Sequence, residues 1–411
     1  MSRGLSAIAF AILASAASLA AAEDPPSSRF SFQGYATLGF VHSSEDRADF
    51  LGSLLLKNGA GHTRDWSLEV DSRVGGQATA TISSKLSAVV QLVAEQRADG
   101  SFAPHIEWAN LKYQLTPDAS VRIGRIVVPS FLVSDFRKVG YANVWIRPPT
   151  EVYALVPVTT NDGLDASYRL QAGGFTHTFQ GIFGQSSTKL PDGGTARARN
   201  AWGLTASSER GALSARLAYV QTDLFIDSYN TLFDAFRQFG SEGIAIAERF
   251  DADGSLFQFY GVGAQYDPGD WFVMAEGGRI RSHAAVGDRT AWYVSAGHRF
   301  GKLTPYLTYA TVDADMALSD PGLTVAAYPP ELAGVAGALN AALNGILAGT
   351  PVQNTVSLGA RWDFRKNLDL KLQLDHSRLG AGSAGSLGNV QSGFRSGGSY
   401  DLVSIAVDIV F

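Results

Sequence analysis

Tyr400-Asp-Leu-Val-Ser-Ile-Ala-Val-Asp-Ile-Val-Phe411 ends the chain, and its reading decides the rest. Counting back in twos, Phe411, Ile409, Val407, Ile405 and Val403 are all large and apolar. The other parity holds Asp408, Ala406, Ser404 and Tyr400, with Val410 and Leu402 as exceptions. Side chains alternate faces along a strand, so one face is greasy and the other small or polar. At about 12 residues the segment is near the 9–11 that a tilted strand needs to cross a bilayer. The competing interpretation of this stretch alone is the edge strand of a soluble sandwich.

The same alternation recurs upstream. Leu368, Leu370, Leu372 and Leu374 face away from Asp369, Lys371, Gln373 and Asp375, and a helix would scatter those leucines around its cylinder. Comparable segments, among them 30–41, 66–80, 86–96, 163–170, 175–184, 201–208 and 353–364, bring the expected total to about 16 strands. An even number suits a bacterial single-chain barrel. Short connections such as Asp267-Pro268-Gly269-Asp270 and Arg365-Lys366-Asn367 alternate with long ones at 42–65, 127–162, 185–200, 221–254, 313–352 and 377–399. A transmembrane barrel sorts its turns and loops in this way, whereas a sandwich has no reason to. On the apolar parity, Phe32, Tyr113, Phe175, Tyr266, Trp271, Phe300, Trp362, Phe364 and Phe411 fall at the turn end. Phe40, Trp66, Phe183, Trp202, Tyr219, Trp292 and Tyr309 fall at the loop end, giving two girdles at the two headgroup levels. The expected fold is an all-β, antiparallel, up-and-down transmembrane barrel.

The opposite parity is charged. Glu69, Asp71, Arg73, Lys112, Arg122, Asp165, Arg169 and Arg216 are expected on the pore wall, with Glu276, Arg361, Asp363, Asp369, Lys371 and Asp375. About 16 strands leave an aqueous channel in which both signs of charge are solvated.

Composition narrows the function. The 411 residues include no cysteine, which excludes disulfides, thiolate metal sites and a catalytic thiol. Mean hydropathy of +0.02 argues against a bundle of membrane helices. Residues 1–22 read as a cleaved signal peptide: Arg3, an uncharged run from Leu5 to Leu19, then Ala20-Ala21-Ala22 before Glu23. The formal charge of −5 becomes one unit more negative without Arg3, which argues against a nucleic-acid partner. No cofactor or metal is expected, since the seven histidines show no paired ligand spacing. No Gly-x-Ser-x-Gly elbow occurs, and Gly297-His-Arg-Phe-Gly-Lys-Leu303 is one residue short of a P-loop.

Glu107-Trp-Ala-Asn-Leu-Lys-Tyr113, Ala119-Ser-Val-Arg-Ile-Gly-Arg125, Val356-Ser-Leu-Gly-Ala-Arg-Trp-Asp-Phe364 and the ending at Phe411 resemble the Gram-negative general porins. That resemblance implies a homotrimer in the outer membrane, in contact with outer-membrane lipid and lipopolysaccharide. It further implies a water-filled channel for small polar solutes and ions, not an enzyme. Phe411 would be the signal read by the barrel assembly machinery, and the third outer loop would form the constriction. Residues 23–411 would be one barrel domain with loop 127–162 folded inward. That loop departs from the family's short acidic form, mixing Asp135, Glu151 and Asp162 with Arg137, Lys138 and Arg147. Asp135 and Glu151 are expected to face wall cations, with weak selectivity of undecided sign. Alternatives are a phospholipase-like barrel with an outward Ser–His pair, for which His298 and His376 lie on the outward parity, and a receptor or adhesin barrel. Two loop helices are also expected: a packing helix over 229–239, and an uncharged one over 332–352 with Leu332, Val335, Leu339, Leu343 and Ile346 on its apolar face.

Overall fold

The computed structural model describes residues 29–411; the signal peptide expected at 1–22 lies outside them. Sixteen long strands form one closed antiparallel sheet. They are β1 (Phe30–Ser43), β2 (Arg73–Thr81), β3 (Leu86–Glu95), β4 (His105–Gln114), β5 (Ala119–Val127), β6 (Thr160–Ala172), β7 (Phe175–Lys189) and β8 (Thr195–Arg210). The second half holds β9 (Leu213–Ile226), β10 (Asp253–Tyr266), β11 (Trp271–Ser282), β12 (Arg289–His298), β13 (Leu303–Ala314), β14 (Gln353–Arg365), β15 (Leu368–Leu379) and β16 (Ser399–Val410). Closure is a physical requirement: hydrocarbon offers an open sheet edge no hydrogen-bond partner.

The seam is β1. It pairs with β2 from Phe30↔Ala80 to Thr37↔Arg73, and with β16 from Tyr35↔Val410 to Ser43↔Leu402. Phe411 finishes the ladder. Its carbonyl accepts from Gly34 N–H at 2.7 Å, and its N–H donates to the Gly34 carbonyl at 3.0 Å. Its ring lies over Gly34, where an added Cβ would come 2.3 Å from the ring edge. Only a glycine admits that approach.

Two strand boundaries differ from the periodicity. The alternation of Trp66, Leu68 and Val70 continues through a break, because only Trp66–Ser67 pairs with β1 before the sheet resumes at Arg73. Residues 69–71 form a turn that buries Val70 beneath the first loop with Val41, Phe50 and Leu402. The connection expected at 185–200 shrinks because β7 and β8 run on as a polar hairpin to Lys189↔Thr195, with a bulge beyond Gly184.

The third loop, 128–159, packs against inward-facing side chains of the second half of the barrel. Phe131, Trp145 and Tyr153 join Phe259, Phe272, Tyr293 and Tyr306 in the largest buried cluster. Burying such rings is worth roughly 1.5–3 kcal/mol each. α1 (Thr150–Tyr153) is one turn of α-helix within this loop, after 3₁₀ turns at Ser134–Phe136 and Gly140–Ala142.

α2 (Asp227–Arg237), α3 (Gly240–Phe250) and α4 (Pro330–Ala348) form a second cluster outside the barrel through Phe233, Phe236, Ile246, Leu343 and Leu347. α4 is long and apolar enough to cross a membrane, yet it packs on these loop helices. Its buried face is rotated from the expected one: Ala336, Leu343 and Leu347 are covered, while Leu332 and Val335 are exposed. Asn340 and Asn344 account for the rotation. Asn340 Oδ1 accepts from Leu323 N–H at 2.8 Å and Asn344 Oδ1 from Asp320 N–H at 2.9 Å, turning that face toward 320–323.

Deleting Phe411 removes two backbone bonds and one ring, about 2 kcal/mol of burial. A barrel this size should tolerate that loss, whereas an assembly signal would not. The variant should reach the outer membrane in severalfold lower amounts, with little change in the unfolding midpoint of refolded protein. Equal membrane levels on quantitative immunoblots would contradict this.

Candidate functional site

The loop is held by charge as well as by rings. Arg147 Nε donates to Asp71 Oδ1 at 2.9 Å, and its Nη2 to Asp71 Oδ2 at 2.5 Å and Ser404 Oγ at 2.8 Å; its Nη1 lies 3.4 Å from Asp375. Burial works to lower the Arg147 pKa, but Asp71 and Asp375 outweigh it and hold the guanidinium above its ordinary range. Lys138 Nζ reaches Glu95 at 2.5 Å and Glu107 at 2.7 Å. Burial opposes its charge too, and the two carboxylates again win, raising its pKa. Glu95, His105 and Glu107 bring ligand atoms within 4.8 Å of one another, as a cation site would, and the Lys138 ammonium fills that role.

Further anchors complete the seat. Trp145 Nε1 donates to Ser295 Oγ at 3.0 Å and Thr308 Oγ1 at 3.1 Å. Glu276 accepts from Tyr153, Tyr293 and the Leu132 N–H. Lys371 Nζ donates to the Gly140 and Trp145 carbonyls and lies 2.9 Å from Asp408. Arg361 donates to the Tyr141 and Asn143 carbonyls.

The charge arrangement matches the expected one only at Asp135. The strong pairs run from loop cations, Lys138 and Arg147, to acids on the wall and in the 69–71 turn. Asp135 meets Arg216, but at 3.9 Å. Glu151 does not face the wall cations. It is buried, and its Oε1 accepts from Gln353 Nε2 at 2.6 Å and from Thr355. Burial raises its pKa, partly offset by the Thr355 and Gln353 bonds.

Other expected residues are scattered along the wall. Glu69 sits in the 69–71 turn with Arg64 at 2.6 Å, away from the wall. Arg73 lies 3.8 Å from Glu95. Arg122 Nε donates to Asp165 Oδ1 at 3.0 Å. Lys112 and Arg169 have no carboxylate within salt-bridge distance among the described residues. Arg137 donates to the Tyr153 and Val156 carbonyls and stacks over the Tyr153 ring at 5.1 Å. Among the described residues it has no carboxylate partner within salt-bridge distance, and burial pushes its pKa down.

Because the loop fills the side walled by β10 to β16, open space remains against β2 to β7. There, about 390 Å³ of water-accessible cavity lies between the loop and the wall. Sequence reasoning missed Glu95 and Glu107 as anchors, though Lys138 signalled a buried cation in need of acids. It also missed an outward contact between His177 Nδ1 and Ser208 Oγ, 2.8 Å apart. No carboxylate bonds His177 among the described residues. His376 bonds Asp401 at 2.7 Å, but among the described residues no serine hydroxyl bonds its ring.

Replacing Arg147 with alanine leaves two buried carboxylates without their cation, a loss of about 3–5 kcal/mol for such pairs. The urea midpoint should fall and proteases should begin to nick 128–159; an unchanged midpoint with an intact loop would contradict the anchor role. Glu151 gives the opposite sign. Its raised folded pKa means its contribution to stability is full below the ordinary carboxylate range and is lost as pH rises through the folded value. Glu151→Gln should therefore match the wild type at acid pH and exceed its thermal midpoint at neutral pH. Parallel pH profiles would refute that.

A family model described as Gram-negative porin matches residues 7–317. No curated protein matches in sequence. Among solved structures, the anion-selective porin from Comamonas acidovorans is 15% identical with a TM-score of 0.53, covering 93% of this chain and 99% of that one. OmpF of Salmonella typhi, in a complex with daunomycin, is 13% identical with a TM-score of 0.55, covering 93% and 97%. The outer membrane channel DcaP of Acinetobacter baumannii is 12% identical with a TM-score of 0.53, again covering 93% and 97%. With its closed barrel and the water-accessible space beside its third loop, the chain belongs to the Gram-negative porins and is an outer-membrane channel for passive diffusion of small hydrophilic solutes and ions.

Proposed function

We propose that the protein works as a homotrimeric, non-enzymatic channel that prefers anions, exported by the leader 1–22, with one barrel domain at 23–411. The observation that carries the selectivity is the charge lining the cavity. Arg73, Arg97, Arg125, Arg137, Lys138, Arg147 and Lys189 face it, against Asp71, Glu95, Glu107 and Asp162. The acids are committed: Asp71 to Arg147, Glu95 and Glu107 to Lys138, and Asp162 to Arg125 at 2.6 Å. Arg97, Arg137 and Lys189 have no acid within salt-bridge distance among the described residues. Lys112 and Arg169 extend the excess along the wall. A surplus of fixed positive charge in a narrow wet passage draws anions and repels cations.

Loop 127–162 is the constriction in this reading, and its residues divide the work. Asp135, Arg137 and Lys138 border the passage, with Arg73, Lys112, Arg122, Asp165, Arg169 and Arg216 on the wall. Arg147 and Glu151 hold the loop in place. The trimer, and the contacts with lipid, lipopolysaccharide and assembly machinery, rest on the family. A phospholipase-like reading has one observation in its favour, the outward His177–Ser208 contact, but lacks an acid to orient the imidazole.

Planar-bilayer recording tests the proposal. The protein should give stepwise ohmic conductance, three steps per insertion, and a reversal potential in a potassium chloride gradient that favours chloride. Replacing Arg97, Arg137 and Lys189 with glutamine should move that potential toward cations, while Asp135→Asn should move it further toward anions. Cation preference in the wild type would overturn the selectivity. A silent barrel that releases fatty acid from phospholipid, and stops on Ser208→Ala, would favour the enzyme.

A further inference from the structure

Arg289 opens β12 at its loop end and shares the inward parity of Ala291, Tyr293 and Ser295. Only 6% of its surface is exposed. Among the described residues it makes no hydrogen bond and meets no acid within salt-bridge distance, and its Nε is buried without an acceptor. The acids nearest in sequence are engaged elsewhere. Asp288 Oδ1 accepts from Ser282 N–H at 2.9 Å, and Asp315 pairs with Arg279 at 2.9 Å. Arg147, Lys138 and Lys371, buried beside the same loop, each have a carboxylate. A guanidinium out of water without a counter-charge is costly, so this position favours an occupant that brings negative charge.

Arg289 faces a small cavity between the first, third and seventh outer loops. The space open to the centre of a water-sized sphere is about 10 Å³, room for one such particle. Leu54, Val312 and Pro351 give it apolar walls, and Ser53 and Thr150 bring hydroxyls to it. The Ser53 oxygen accepts from Leu55 N–H at 3.3 Å, which leaves its own proton free to donate. Thr150 makes no side-chain hydrogen bond among the described residues. Glu151 also lines the cavity, but its Oε1 is held by Gln353 and Thr355. Ser53 and Thr150 line the larger wet cavity as well, so the route in runs between them.

Size and chemistry narrow the occupant. One particle fits, which leaves no room for phosphate, sulfate or an organic carboxylate. A guanidinium and two hydroxyls with free protons suit an anion and not a metal ion. Apolar walls favour an ion that sheds its hydration readily, as a halide does compared with a divalent oxyanion. We propose that Arg289 binds a single chloride ion, held also by the Ser53 and Thr150 hydroxyls. The ion ties the first loop, the third loop and β12 together at one point and completes the neutralisation of the seat. It sits beside the passage and takes no part in conduction.

The test uses the full-length protein refolded in detergent and exchanged into sodium gluconate. Chloride or bromide, added at constant ionic strength, should raise the wild-type thermal midpoint by a few degrees, in proportion to the occupancy of one site. Arg289→Met keeps the bulk and removes the charge. It should show no halide-specific rise, with unchanged single-channel conductance and reversal potential. Ser53→Ala with Thr150→Ala should raise the half-saturating concentration about tenfold. Crystals soaked in bromide should show an anomalous peak beside Arg289. Water alone against Arg289 in those wild-type crystals would overturn the proposal, even if a variant failed to fold. So would an equal halide response in Arg289→Met, or a bromide peak without any halide-specific rise, which would mark an adventitious ion only. Sulfate that protected the wild type but not Arg289→Met would overturn the halide assignment. A channel that preferred cations would fail the selectivity reading without touching this inference.

Discussion

The structure depends on seating a 32-residue, ring-rich and charged loop inside a barrel whose own inward face is charged. Neither surface could be buried alone. An unpaired ion away from water is very costly, so each buried charge has to find a partner at the moment the loop enters. Arg147 with Asp71 and Asp375, Lys138 with Glu95 and Glu107, and Lys371 with Asp408 and two loop carbonyls meet that condition. Trp145, Phe131 and Tyr153 then supply the apolar gain that a loop in water could not realise. The seat is asymmetric: the loop closes one half of the lumen and leaves the other half wet.

That asymmetry links the packing to the function. The acids that lie against the loop are consumed as anchors, so they contribute little net charge to the passage. What remains is set by the cations left over, Arg97, Arg137 and Lys189 near the outer mouth and Lys112 and Arg169 along the wall. In the proposed reading, selectivity is a by-product of how the loop was neutralised, not a separate ring of charge. The same division of labour explains why Glu151, acidic and in the loop, takes no part in the field: Gln353 and Thr355 hold it on the dry side.

Much of the architecture was legible because a strand repeats every two residues. The leucines of β15, the ends of β16 and both aromatic girdles follow from parity alone. Parity failed where a turn preserved the pattern by accident, at Trp66, Leu68 and Val70, and so Glu69 was expected on the wall. The loop's need for burial could be read from its Phe, Tyr and Trp. Its partners could not, because Arg147 meets Asp71 and Asp375 from far along the chain, and no local spacing records such pairs.

In the proposed reading, water passes between the loop and β2–β7, while the space behind the loop is dry. Single cysteines test it, since the chain has none of its own. Lys112→Cys lies on the open wall and Tyr306→Cys behind the loop, where Tyr306 is 2% exposed. During single-channel recording, a water-soluble charged thiol reagent should cut the current stepwise at Lys112→Cys and leave it unchanged at Tyr306→Cys. Block at Tyr306→Cys with no effect at Lys112→Cys would place the water path on the other side of the loop and contradict the account.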